Sequence, residues 1–229
     1  MLVETHSVKR YESSGNGEAA RYGAEEITPF ANNNGFTLVL DYKFNPEQVS
    51  NEKQSAVLVG CYDKTNGSTT GFALYRDFYR NTSPQQEASI RVGCGDMFRL
   101  NGASISKSES IGYIDETKKI SYRNIVVIRH PANTSSLWIY SSRVSDVTNI
   151  GESIAEPKVI TLDNWSLNAN AKLWFGNLRE YTSNDSYDSE KNNIRGAMGT
   201  IYWAKYWDED LGHGECSQLA AWPHEQMTA

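Results

Sequence analysis

The sequence predicts an all-β chain: a two-sheet antiparallel jelly-roll sandwich closed by a short C-terminal helix. Three observations carry this. Short apolar runs recur at intervals of about 10–20 residues between turns rich in Gly, Asn, Asp, Ser and Pro. The aromatic residues favour strands, with 13 Tyr and 6 Trp against 7 Phe. The length of 229 residues suits one large all-β domain, because sandwiches and barrels commonly run to roughly 200–250 residues.

Residues 1–30 are weakly patterned, and Ser13-Ser14-Gly15-Asn16-Gly17 reads as a loop. An irregular entry segment or an edge strand is expected there, followed by a single sandwich domain over residues 31–229. Gly15-x-Gly17-x-x-Ala20 matches a relaxed dinucleotide fingerprint, but no apolar strand precedes it and no βαβ pattern follows, so it carries no weight. Asn32-Asn33-Asn34-Gly35 is a strong turn. It delivers the chain into Phe36 to Phe44, where Phe36, Leu38, Leu40, Tyr42 and Phe44 alternate with Thr37, Asp41 and Lys43, giving one apolar face.

A polar connection from Asn45 to Lys53 leads to Ser55–Tyr62, which is apolar on both sides and reads as a central strand. Short strands follow at Phe72–Tyr75, Ser89–Cys94 and Met97–Leu100, the last closed by the hairpin signal Asn101-Gly102. The stretch from there to Lys119 is read as polar connection. Ile125–Ile128 lies in a second central strand, turned by Pro131–Ser135 into Ser136–Ser141, with Leu137 and Ile139 on one face and Trp138 and Tyr140 on the other. A loop from Arg143 to Asp163 holds one short strand, Val159–Leu162. Lys172–Asn177 is the next strand, and the very polar run Tyr181–Asn193 leads into the last.

That last strand is the most patterned segment. After Gly199, Ile201, Ala204 and Tyr206 suit a strand with one local irregularity, closed by the turn Asp208-Glu209-Asp210. Gly212 to Gly214 is read as a break before a helix from Glu215 to Trp222, in which Cys216, Leu219 and Ala220 share a face; Pro223 stops it.

Gly199, Ile201, Ala204-Lys205-Tyr206, Trp207-Asp208, Leu211, Glu215 and Leu219 together resemble the end of laminin-G-like, concanavalin A-like lectin domains. The hairpin NIVVIRH to LWIYSS and the strand Lys172–Asn177 also resemble that family. The match departs at Tyr202 and Trp203, where many members carry acidic residues. Trp207-Asp208-Glu209-Asp210-Leu211-Gly212 and Leu219-Ala220-Ala221-Trp222-Pro223-His224-Glu225 are similar to such domains in phage tail and other virion structural proteins. The resemblance implies a virion component assembled in the bacterial host cytoplasm.

Charge and motifs narrow the chemistry. A formal net charge of −6 disfavours nucleic acid, which needs a basic field. No segment approaches the roughly 20 apolar residues of a membrane span, and no secretion signal is visible. The three cysteines, Cys61, Cys94 and Cys216, lack the spacing of a zinc site or disulfide framework and read as buried thiols.

The fold family includes β-glucanases with a Glu-x-Asp-x-x-Glu strand, whose alternate residues place an acid and a nucleophile about 5 Å apart. No Glu-x-Asp occurs here, and the chain is expected not to be an enzyme. Asp208, Glu209, Asp210 and Glu215 read as turn and helix-start residues. Asp185, Asp188 and Glu190, or Asp63 with Asn66, could reach calcium but follow no EF-hand pattern. No metal or other cofactor is expected.

What remains is the aromatic set. Trp138, Tyr140, Trp174, Tyr202 and Trp203 are the candidate ligand-binding residues, since outward rings on a sheet can stack on sugars or on a protein partner. Lectins of this class also bind sugars at loop edges, which would bring in Asp63, Asn66, Asp96, Asn184 and Asp185. The expected partners are a host-surface glycan or neighbouring virion subunits, without membrane insertion and with a homo-oligomer allowed.

Overall fold

The alternation in Phe36–Phe44 sets the architecture. In the computed structural model, residues 2–6, 9–11, 35–44, 55–62, 71–77, 87–94, 107–115, 120–144, 156–161, 163, 172–175, 194–196 and 199–221 are described. They form thirteen strands and one helix. The strands are β1 (Leu2–His6), β2 (Lys9–Tyr11), β3 (Gly35–Phe44), β4 (Ser55–Tyr62), β5 (Gly71–Asp77), β6 (Glu87–Cys94) and β7 (Lys107–Asp115), then β8 (Arg123–Pro131), β9 (Ser136–Arg143), β10 (Lys158–Thr161), β11 (Lys172–Phe175), β12 (Ile194–Gly196) and β13 (Gly199–Trp207). The helix, α1, runs Gly212–Ala221.

Two sheets result. One has the order β1-β13-β3-β8-β9-β10, with β2 also on β13; the other has β11-β4-β5-β6-β7, with β12 also on β4. All pairings are antiparallel except that of β12 with β4. The two-sheet prediction is therefore met, and the shape is that of a lectin-like jelly roll.

The even positions of β3 and β8 point between the sheets. Phe36, Leu38, Leu40, Tyr42, Phe44, Val126 and Ile128 meet Phe72, Leu74, Ile90, Val92 and Leu173 there, all buried. Each such side chain contributes about 1.5–3 kcal/mol by leaving water. Phe36 stacks on Phe72 across the sandwich at 5.4 Å between centroids. Gly35, which opens β3, has φ +79, and a Cβ there would lie 2.4 Å from the His130 carbonyl oxygen. Glycine meets both demands.

The irregularity expected in the last strand is a β-bulge: the register of β13 on β3 shifts between Ile201 and Trp203. It lets Ile201, Ala204 and Tyr206 all face the main core while both Tyr202 and Trp203 pack on the other side.

Three readings need correction. β7 occupies a stretch that reads as polar connection; it is an edge strand, so only inward residues such as Ile114 need be apolar. β12 was not foreseen, because three residues carry no period. Within the entry segment, where an irregular stretch or an edge strand is expected, β1 lies at the edge of the larger sheet and β2 also pairs with β13. The helix begins at Gly212 instead of Glu215: the Gly212 amide donates to Asp210 Oδ1 at 2.9 Å, and Gly212 takes φ +81, so the glycines start the helix instead of breaking the chain. The strand and hairpin expected at Met97–Gly102 lie outside the described residues. Among the described residues no helix is long and apolar enough to cross a membrane.

Candidate functional site

The odd residues of β3 and β8 and the even residues of β9 face away from the main core, onto a second apolar cluster beneath α1. Val39, Ile125, Val127, Tyr140, Val144 and Trp203 pack there against Cys216, Leu219 and Ala220 of the helix. Ser142 Oγ donates to the Ala220 carbonyl and fastens the far end of α1. The helix thus divides the outer face of the larger sheet, leaving one polar and aromatic group at each end.

At the start of the helix, Thr37 Oγ1 donates to the Glu209 carbonyl at 3.1 Å and accepts from the Leu211 amide at 3.2 Å, so β3 holds the turn in place. Arg129 makes a two-pronged ion pair with Asp210, with Nη2 to Oδ2 at 2.9 Å. Its guanidinium also lies 5.4 Å from the centre of the Trp138 ring. Burial alone would raise the Asp210 carboxyl, but the hydrogen bonds from Arg129 and from the Gly212 amide outweigh it, and the net shift is downward. The Arg129–Asp210 hydrogen bond in turn holds the guanidinium firmly protonated. Tyr140 is fully buried; its hydroxyl contacts Arg129 and lies 3.1 Å from His213 Nδ1. The His213 ring sits 6.4 Å from Trp138, edge to face.

At the other end Asp41, 0 % exposed, binds Arg123 through both oxygens at 2.9 and 2.8 Å. Burial raises its carboxyl to about 6, opposed by the hydrogen bond and charge of Arg123 and by a hydrogen bond from Trp203. Arg123 also covers the Tyr202 ring, 3.7 Å from its centre.

The five predicted aromatics therefore separate. Trp138 is half-buried and stands opposite Val159 of β10, an exposed apolar side chain at 42 %. Tyr140 and Trp203 are buried at 0 % and 3 % and hold the helix on the sheet, so neither offers a ring face to solvent. Tyr202 is half-buried with Arg123 over its face. Trp174 pairs with Gly60 in register on β11; its side chain lies outside the described residues. So do the loop candidates Asp63, Asn66, Asp96, Asn184 and Asp185, together with Asp188 and Glu190. Among the described residues, no group of three or more His, Cys, Asp or Glu could hold a metal ion.

Sequence reasoning missed Arg123 and Arg129 and their acidic partners. The signal was present: the two arginines flank the apolar run of β8 six positions apart, and an even spacing on a strand puts them on one face.

No family model matches the sequence, and no curated protein does. Solved structures do match. The CBM40 module of the Ruminococcus gnavus IT-sialidase superposes with TM-score 0.54 at 11 % identity, covering 96 % of this chain and 99 % of the module. The same module bound to α2,3-sialyllactose gives TM-score 0.53 at 12 % identity, over 97 % of this chain and all of the other. The leech intramolecular trans-sialidase gives TM-score 0.51 at 12 % identity over 96 % of this chain, but only 28 % of the enzyme. At such identities the likeness shows the fold.

Proposed function

We propose that the chain is a non-catalytic glycan-binding module of a virion structural protein, recognising a host-surface glycan through the Trp138 end of the outer face. The observation that carries this is the partly exposed Trp138 ring, with exposed Val159 opposite it in register and the exposed His213 ring 6.4 Å away. An apolar ring face bordered by a polar donor is what stacking on a sugar requires. Two comparisons support the reading. The similar module is seen bound to sialyllactose, and what matches in the sialidases is about a quarter of each enzyme, 27 % of NanB and 28 % of the leech protein. The missing glucanase acids support a non-catalytic role, and the C-terminal wording supports the virion setting.

A second reading has its own observation. An exposed valine on the edge strand β10 suits contact with a neighbouring virion subunit or a second copy of the chain as well as it suits a sugar.

A screen of the purified chain against a glycan array and host-envelope fractions, with calcium and with chelator, separates the readings. Saturable glycan binding lost in Trp138→Ala, with the circular dichroism spectrum unchanged, is expected. Absence of binding to every glycan and envelope fraction, together with self-association measured by light scattering, would overturn it in favour of the subunit role. Turnover of a polysaccharide that survives repurification would overturn the non-catalytic assignment.

A further inference from the structure

We infer that the Trp138 site selects a neutral sugar and discriminates against sialic acid and other acidic sugars, with His213 as a fixed hydrogen-bond donor to the ligand. The inference rests on the glycan-binding reading above and deepens it. Recognition of a sugar carboxylate calls for an uncompensated cation, most often an arginine offering two parallel N–H groups. The arginine at this site, Arg129, already gives both prongs to Asp210. The Gly212 amide at the start of α1 is spent on the same carboxylate. Lys158, next to Val159 in sequence, reaches away to the Ser110 carbonyl on the other sheet, and Lys107 to the carbonyl of Thr161 at 2.7 Å. The Arg129 charge is therefore paired, and the Lys158 and Lys107 ammoniums, though still charged, are tethered to backbone carbonyls between the sheets and away from the Trp138 face. The net charge of −6 adds a long-range field that opposes anions.

What is left at the surface suits a neutral ring. Trp138 and Val159 offer apolar contact. A guanidinium can only donate, so the Tyr140 oxygen accepts from Arg129, and the same hydroxyl lies 3.1 Å from His213 Nδ1. With the Tyr140 O–H given to Nδ1, as the inference has it, the imidazole offers its N–H from Nε2 of an exposed ring. The chain Asp210–Arg129–Tyr140–His213 thus presents one imidazole N–H donor beside the Trp138 ring, suited to a sugar hydroxyl or ring oxygen.

The test uses matched ligands, lactose with 3′-sialyllactose and N-acetyllactosamine with its sialylated form, alongside wider neutral and acidic glycan panels, measured by titration calorimetry on the whole chain. The expected result is binding to neutral members, at least about tenfold weaker binding of their acidic counterparts, and loss of binding in Trp138→Ala and His213→Ala. Asp210→Asn, which leaves the Arg129 charge without a carboxylate partner, is expected to narrow the gap about tenfold. Because Asp210 also caps the helix, Val159→Arg, at an exposed position, makes the same test without disturbing packing. A preference for acidic ligands overturns the inference while leaving glycan binding intact. So does neutral binding that survives Trp138→Ala, or a neutral-to-acidic ratio that Val159→Arg leaves unchanged. No binding to any glycan brings down the underlying reading along with the inference.

Discussion

Removing Arg123 should harm the fold far more than removing the charge it pairs with. Asp41 is 0 % exposed, whereas the Arg123 side chain keeps about a quarter of its surface in water, at 24 %. Arg123→Ala strands a buried carboxylate without its guanidinium, which costs about 3–5 kcal/mol. Asp41→Asn leaves a cation that can still be hydrated and keeps a hydrogen-bond acceptor, so the loss is about 1–3 kcal/mol. The pair also has a pH signature. The folded carboxyl sits at about 6, above its ordinary 3.8, so the folded state holds the proton more tightly than the unfolded chain does. Its stabilising effect is full below about pH 4 and is lost as pH rises through 6, a span of about 3 kcal/mol. The penalty of Asp41→Asn should therefore grow on acidification, and that of Arg123→Ala should shrink. Urea unfolding of wild type and both variants at pH 7.5 and 4.5 measures this. Arg123→Ala no worse than Asp41→Asn at pH 7.5, or wild type and Asp41→Asn running parallel with pH, would refute the reasoning.

Three further outcomes are expected. Trp203→Ala should cost about 3–5 kcal/mol by opening the space beneath α1, and Tyr202→Ala only about 0.5–1 kcal/mol, the value of a cation–π contact near the surface; urea midpoints compare the two. Gly35→Ala should lose about 1–3 kcal/mol, since φ +79 and the His130 carbonyl both oppose a Cβ; thermal unfolding reads it. In a Cys61→Ser background, Cys94 and Cys216 should resist a thiol reagent until urea unfolds the chain, because burial pushes their thiols up to about 12 and 11. Rapid labelling of the native protein would contradict their placement.

Much of the architecture could be read from short-range pattern. The alternation in Phe36–Phe44 placed its core face correctly, and Leu137 and Ile139 were separated from Trp138 and Tyr140 as they are in the sandwich. The bulge in β13 was visible as a break in alternation. Weak edge strands escaped: β7 opens Lys107-Ser108-Glu109-Ser110, with Ile114 its one buried residue among those described, and β12 has too few residues to show a period. The helix start was misplaced because glycine next to glycine reads as a break until the Asp210 cap is seen.

The candidate site was harder to read, because exposure is a property of the assembled layers. The sequence alone determined that Trp138, Tyr140 and Trp203 leave the main core, since side-chain direction on a strand follows from counting residues in twos and from recognising a bulge. It also determined the overall acidity and the absence of a glucanase motif. Only the tertiary structure decided which outward residues meet water. The helix covers Tyr140 and Trp203, Arg123 covers Tyr202, and Trp138 is left at the margin. It alone joined Arg129 to Asp210 across 81 residues and Arg123 to Asp41 across 82. Such pairs arise where three strands and a helix converge, a contact between distant parts of the chain that no local period encodes.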